Sequence, residues 1–101
     1  MYYLYILYSK SADKYYVGQS KDPFKRLLHH NSDEKDTYTS KFRKWSIVAV
    51  FEVAETRAGA LKIEQWIKRQ KSRRLIEQLV NPRFMPNGYL AQLVRVPHVR
   101  D

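Results

Sequence analysis

From Tyr2 the chain alternates, placing Tyr3, Tyr5 and Leu7 on one face of an extended segment and Tyr2, Leu4, Ile6 and Tyr8 on the other. After the polar break Lys10-Ser11-Ala12-Asp13, a second run from Lys14 to Gly18 puts Tyr16 and Gly18 on one face and Tyr15 and Val17 opposite. Two such runs around a short polar break predict a β-hairpin. Six of the eight tyrosines fall in the first eighteen residues, and Gly18, one of three glycines, closes the second run. Taken alone, the pattern describes a tyrosine-rich hairpin in a small core.

The period then changes. Asp22-Pro23 reads as an N-cap followed by proline at the first helical position, opening a helix to about Asn31. Phe24, Leu27, Leu28 and Asn31 lie along one side of it. Arg26 and His30, four apart, stack on an adjoining stripe at the edge of the buried face. Asn31 to Trp45 has neither period and reads as a loop, in which Tyr38, Phe42 and Trp45 interleave with Lys41, Arg43 and Lys44. Such a loop can offer cations to phosphates and rings to bases, or it can be a solvated basic loop whose aromatics tuck into the core.

Ser46 to Val53 is almost continuously apolar and suits a strand buried on both faces. Thr56 can cap a helix from about Arg57 to Gln70, with Ala60, Ile63 and Ile67 as its apolar stripe. Glu64 lies on that same stripe, and a carboxylate there requires an ion-pair partner or a metal. Ser72 can cap a third helix, Arg73 to Val80, which Asn81-Pro82 stops. Tyr89 to Val96 fits a short extra strand or an arm. The order β-β-α-loop-β-α-α predicts an α+β domain: a small three-stranded, mostly antiparallel sheet flanked by about three helices. We expect the domain to span residues 1–82, with 83–101 as a C-terminal extension.

Composition narrows the partner. The chain has 101 residues, consistent with one domain, and a net charge of +9. That excess favours a polyanion, nucleic acid ahead of an anionic membrane surface. The lack of cysteine excludes disulfides and thiolate metal sites. No apolar run approaches the roughly 18 residues of a membrane span. With no signal peptide visible at the start, the expected setting is cytoplasmic.

The unusual polar groups are Tyr5, Tyr16, Arg26, His30 and Glu64. Glu64 suits one hard divalent cation, which takes oxygen ligands and retains waters. Arg26 offers a planar fork of donors to a phosphate. A tyrosine can take a proton from water or position that water. With an ordinary pKa of about 10, however, half-ionising it at pH 7 requires roughly 4 kcal/mol of selective stabilisation. The spacings of zinc ligands, serine triads and phosphate-cradling glycine loops are missing.

Tyr3-Leu4-Tyr5, Tyr16-Val17-Gly18, Arg26 eight residues after that glycine, His30 four further on, and Glu64 in Ile-Glu-Gln-Trp-Ile-Lys together resemble the small stand-alone members of the GIY-YIG nuclease family over residues 2–82. The resemblance implies a metal-dependent endonuclease acting on DNA. One divalent ion, Mg2+ or Mn2+, would sit on Glu64. Tyr5 would be the general base with Tyr16 its partner, and Arg26 and His30 would act at the phosphate. Gly18 would leave room for substrate. Two features depart from the family pattern: the first motif begins with Tyr3 rather than glycine, and Gln19 stands where many members carry lysine. The family's late asparagine is matched to Asn81. Lys41, Arg43, Lys44, Arg73 and Arg74 are the expected nucleic-acid contacts, and they would also serve the alternative, a non-catalytic nucleic-acid-binding module. The form of the DNA and the oligomeric state are left open.

Overall fold

The computed structural model describes residues 1–32 and 44–97. The predicted hairpin is β1 (Tyr2–Ser9) and β2 (Lys14–Ser20), antiparallel, with Tyr5 opposite Gly18 and Leu7 opposite Tyr16. Asp13 turns the chain with a left-handed φ of 53°, a conformation that aspartate tolerates better than most residues. Its carboxylate accepts from the Tyr8 hydroxyl at 2.7 Å and from Arg73 at 2.6 Å.

β3 (Trp45–Ala54) pairs antiparallel with the other edge of β1, and β4 (Val94–Arg95) pairs with β3, giving the order β2-β1-β3-β4. β1 is therefore central, and Leu4 to Leu7 are buried on both faces. The register of β3 against β1 shifts between Ile6 and Leu7, so that Val48 is passed over. This bulge explains the nearly continuous apolar run of β3: it sets Ile47 and Val50 on the same face as Tyr5 and Leu7.

The fold is α+β, as expected, with four strands rather than three. The additional strand comes from the Tyr89–Val96 stretch. A 3-10 turn, Gly88–Leu90, precedes it, and Leu90 and Leu93 insert into the main core. Val96 N–H donates to the Val50 carbonyl at 2.8 Å. Arg95 donates to the Leu79 and Asn81 carbonyls, each at 2.9 Å. Residues 83–97 thus complete the sheet and the core.

Three helices lie among the described residues: α1 (Pro23–Ser32), α2 (Arg57–Gln70) and α3 (Arg73–Val80). All three predicted caps form: Asp22 Oδ1 accepts from Lys25 N–H, Thr56 Oγ1 from Gly59 N–H and Ser72 Oγ from Leu75 N–H, at 3.0–3.1 Å. Ala60, Ile63 and Ile67 of α2 and Leu79 of α3 cover the face of the sheet that carries Leu4, Ile6, Val17 and Phe51. Leu27 of α1 packs on the opposite face, against Tyr5, Leu7, Trp45 and Val50.

α1 is rotated from the expected orientation. Phe24 and Leu28 are exposed, whereas His30 is only 5% exposed. The inward stripe is Pro23, Leu27 and His30, at i, i+4 and i+7. A histidine can occupy that stripe because it finds a hydrogen-bond partner on β1. No described helix is long and apolar enough to cross a membrane.

Candidate active site

β2 is an edge strand, with α1 on one face of the sheet and α2 on the other, and a cleft of about 410 Å³ opens against it. Tyr5, Tyr16, Gly18, Arg26 and Glu64 all line this cleft. They arrive from β1, β2, α1 and α2, which share no local sequence.

Hairpin register sets the tyrosines. Tyr5 lies opposite Gly18, and Tyr16 is two residues along, opposite Leu7. A methyl group built at Gly18 would overlap the hydroxyl and ring of Tyr5. The glycine thus leaves room for the Tyr5 phenol, and it also lines the cleft. The two tyrosine ring centroids are 6.4 Å apart, and the His30 ring is 4.8 Å from that of Tyr16.

The Tyr5 hydroxyl is 3.0 Å from His30 Nε2, and the neutral phenol donates when that nitrogen carries no proton. Burial pushes the Tyr5 pKa up to about 12, with smaller upward contributions from Tyr16 and Glu64; a hydrogen bond and the positive charge of Arg26 act the other way. Tyr5 therefore rests as a phenol.

Glu64 has an ion-pair partner in Lys68. Its Oε2 is 3.0 Å from Lys68 Nζ, one helical turn on. The same ammonium lies 5.0 Å from the centroid of Tyr16. Sequence reading passed over Lys68. The available signal was the i, i+4 spacing from a carboxylate already singled out. Lys21 and Arg57 also line the cleft and were missed; in the sequence they are two surface cations among nineteen basic residues.

Gln19 lines the cleft too, and its side-chain oxygen is buried without a hydrogen-bond partner. Such an atom is costly unless something donates to it or it ligates a cation. The cleft's carboxylate comes from Glu64, so the ligand it offers a cation is an oxygen. No group of three or more histidine, cysteine or acidic side chains suited to a metal is present among the described residues. This set fits a hard cation that keeps most of its waters and takes further oxygens from a phosphate. It does not fit a closed four-ligand zinc site.

The remaining expected site residues lie elsewhere or cannot be placed. Asn81 does not line the cleft; it caps α3, and its Oδ1 accepts from Arg83 N–H at 3.0 Å. Arg73 is committed to the hairpin turn, donating to the Asp13 carboxylate at 2.6 Å and carbonyl at 2.9 Å, and to Glu77 at 3.3 Å. Its guanidinium also stacks 5.0 Å from the Tyr15 ring. This is a clamp between β-hairpin and α3, which uses donors that a phosphate would need. Arg74 and Lys44 are exposed and do not line the cleft. Lys41 and Arg43, with Tyr38 and Phe42, lie outside the described residues. Trp45 is buried at the start of β3, where the Asn31 amide brackets its backbone, accepting from its N–H at 2.6 Å and donating to its carbonyl at 3.0 Å. Trp45 is therefore a core residue.

Residues 1–77 match the family model described as the GIY-YIG catalytic domain. The chain is 32% identical over 78 residues to the structure-specific endonuclease subunit SLX1 of Meyerozyma guilliermondii; the match covers 72% of this chain and 26% of that protein. It is 36% identical over 80 residues to a UPF0213 protein of Staphylococcus saprophyticus, covering 76% of this chain and 95% of that protein. The chain thus spans about a quarter of the fungal relative and nearly all of the bacterial one.

Proposed function

The chain belongs to the GIY-YIG catalytic-domain family, and from that premise we propose that it is an endonuclease that hydrolyses phosphodiester bonds in DNA with one divalent ion, Mg2+ or Mn2+, held by Glu64. The observation that carries this reading is the meeting of Tyr5, Tyr16, Arg26 and Glu64 in one cleft from four separate elements. Binding alone does not require a buried phenol–imidazole pair beside a carboxylate.

Arg26, with Lys21 and Arg57 also lining the cleft, binds and orients the phosphate by charge-assisted hydrogen bonds. When bound, the metal polarises a phosphoryl oxygen and eases departure of the leaving oxygen. Glu64 would hold it.

Tyr5 is the proton acceptor, but not as a resting phenolate. With its pKa near 12, ionisation at pH 7 would cost about 7 kcal/mol. A relay avoids most of that cost: the Tyr5 oxygen takes a proton from the attacking water as its own proton passes to His30 Nε2. Tyr16, half-buried beside the Lys68 ammonium, orients the water.

The test is a cleavage panel of plasmid, single-stranded and branched DNA with Mg2+ or Mn2+, comparing wild type with Glu64→Ala. Branched substrates belong in it because the fungal relatives are named structure-specific endonuclease subunits. Loss of at least a hundredfold in Glu64→Ala is expected. Equal cleavage by both proteins would remove Glu64 from the reaction and defeat the reading.

A further inference from the structure

Residues 83–97 lie beyond the family match, which ends at residue 77, and they do more than close the core. Gly88 turns the backbone at a φ of 58°, which glycine adopts without steric cost, and opens the 3-10 turn Gly88–Leu90. Leu90 is buried in the core, while its neighbour Tyr89 stays 45% exposed. The Tyr89 ring packs against Trp66 of α2, with centroids 4.8 Å apart and planes inclined at 33°. The fold thus holds an aromatic pair at the surface, its outer ring open to solvent.

The charge beside the pair has one sign. On α2, Lys62 precedes Trp66 by four residues and Arg69 follows it by three, so both share its side of the helix. Both are exposed, and neither forms an ion pair with a described residue. Glu64 is the helix's only carboxylate. It stands two residues from Trp66, about 200° around the axis, on the flank that lines the cleft.

We propose that the Trp66–Tyr89 pair, with Lys62 and Arg69, is a second nucleic-acid contact that takes an unpaired base. The base extends the stack on the Tyr89 ring, and the phosphates beside it meet Lys62 and Arg69. Charge selects the occupant: two exposed cations with no carboxylate on that side of α2 match a polyanion, whereas an apolar protein partner would leave both cations unmatched. A single strand fits better than a duplex, because paired bases bury their faces in their own stack. With its side chains a helix is about 10–12 Å across, so one molecule can occupy the cleft and the aromatic pair together. The inference rests on nucleic acid being the partner, as proposed above.

The experiment measures binding of fluorescein-labelled oligothymidylate and of a labelled duplex in EDTA across a series of salt concentrations. The proteins compared are wild type, Tyr89→Phe, Tyr89→Leu, Lys62→Gln with Arg69→Gln, and the control Lys25→Gln. Lys25 is exposed on α1, across the sheet from α2, and does not line the cleft. Tyr89→Leu keeps an apolar cover on Trp66 but removes the ring, and it should weaken single-strand binding about tenfold while changing duplex binding little. Tyr89→Phe should restore the wild-type affinity. The double variant alters only exposed positions, so it folds whatever Tyr89→Leu does. Its slope of log K against log salt on the single strand should fall by about 1.4, or about 0.7 for each lost phosphate contact, with Lys25→Gln unchanged. Wild-type single-strand binding by Tyr89→Leu, an equal loss on the duplex, or a slope that falls as far in Lys25→Gln as in the double variant overturns the site. Cleavage of DNA with Mg2+ alongside unchanged binding in these variants would sink the aromatic site and leave the nuclease standing. The expected losses in a protein that never cuts would do the reverse.

Discussion

The Tyr5 hydroxyl of β1 lies 3.0 Å from Nε2 of His30 on α1, and the two side chains are 1% and 5% exposed. Tyr5→Phe keeps the ring and removes only the proton path. We expect cleavage to fall about a hundredfold or more, the usual worth of a positioned proton acceptor, while the protein stays folded. Cleavage within threefold of wild type would exclude Tyr5 as the acceptor and leave Tyr16 in its place.

The same variant has a signature in stability. A phenol raised from 10.0 to about 12 by burial favours folding fully below pH 10, and that contribution is lost as pH rises from 10 through 12, since the unfolded state ionises first. The change is about 3 kcal/mol. Urea unfolding of wild type and Tyr5→Phe between pH 9 and pH 12 should show the wild type losing its advantage across that window. Parallel curves would mean that Tyr5 is not held as a buried phenol.

Gly18→Ala tests the closeness of β2 to that phenol. The added methyl overlaps the Tyr5 hydroxyl and ring, so either the strand or the phenol must move. Overpacking of this kind costs about 1–3 kcal/mol. We expect a lower urea midpoint with unchanged slope, together with impaired cleavage. A midpoint equal to that of wild type would show that the strand yields without strain.

Lys68 competes with any cation for Glu64, since its ammonium lies 3.0 Å from the carboxylate. Its side chain is 44% exposed, so the pair is worth at most about 1 kcal/mol. Lys68→Met should therefore tighten Mn2+ binding by roughly two- to fivefold in calorimetric titration. Weaker Mn2+ binding in the variant would indicate that Lys68 supports the metal-binding geometry instead of opposing it.

The last segment should prove inseparable from the domain. Leu90 and Leu93 are 4% and 5% exposed in the main core, although the family match ends at residue 77. Leu93→Ala should cost about 2–4 kcal/mol, and a chain ended at residue 82 should unfold at markedly lower urea. A 1–82 fragment as stable as the whole chain would show the segment to be an appendage.

Much of the site was legible because it sits on rules of short range. Alternation placed Tyr5, Tyr16 and Gly18 on the facing sides of one hairpin, and Glu64 stood out as a carboxylate on an apolar stripe. The cap residues Asp22, Thr56 and Ser72 fixed three helix starts. The reading missed where choices depend on a partner. Phe24 and Leu28 marked the inner face of α1 by hydrophobicity, yet His30 took that face because the Tyr5 hydroxyl satisfies it. Arg73 looked like a phosphate ligand until the hairpin turn supplied Asp13. Tyr89 to Val96 was too short and too broken for its period to separate a strand from an arm.

The sequence alone therefore determined three strands and three helices, their order and the residue types able to do phosphoryl chemistry, since periodicity and capping act within a few residues of chain. Tertiary structure alone decided that Gly18 serves the Tyr5 phenol, that Lys68 holds Glu64, and that residues 83–97 close the core. Those outcomes rest on contacts between elements, where burial makes each polar group's partner, more than its own identity, fix its role.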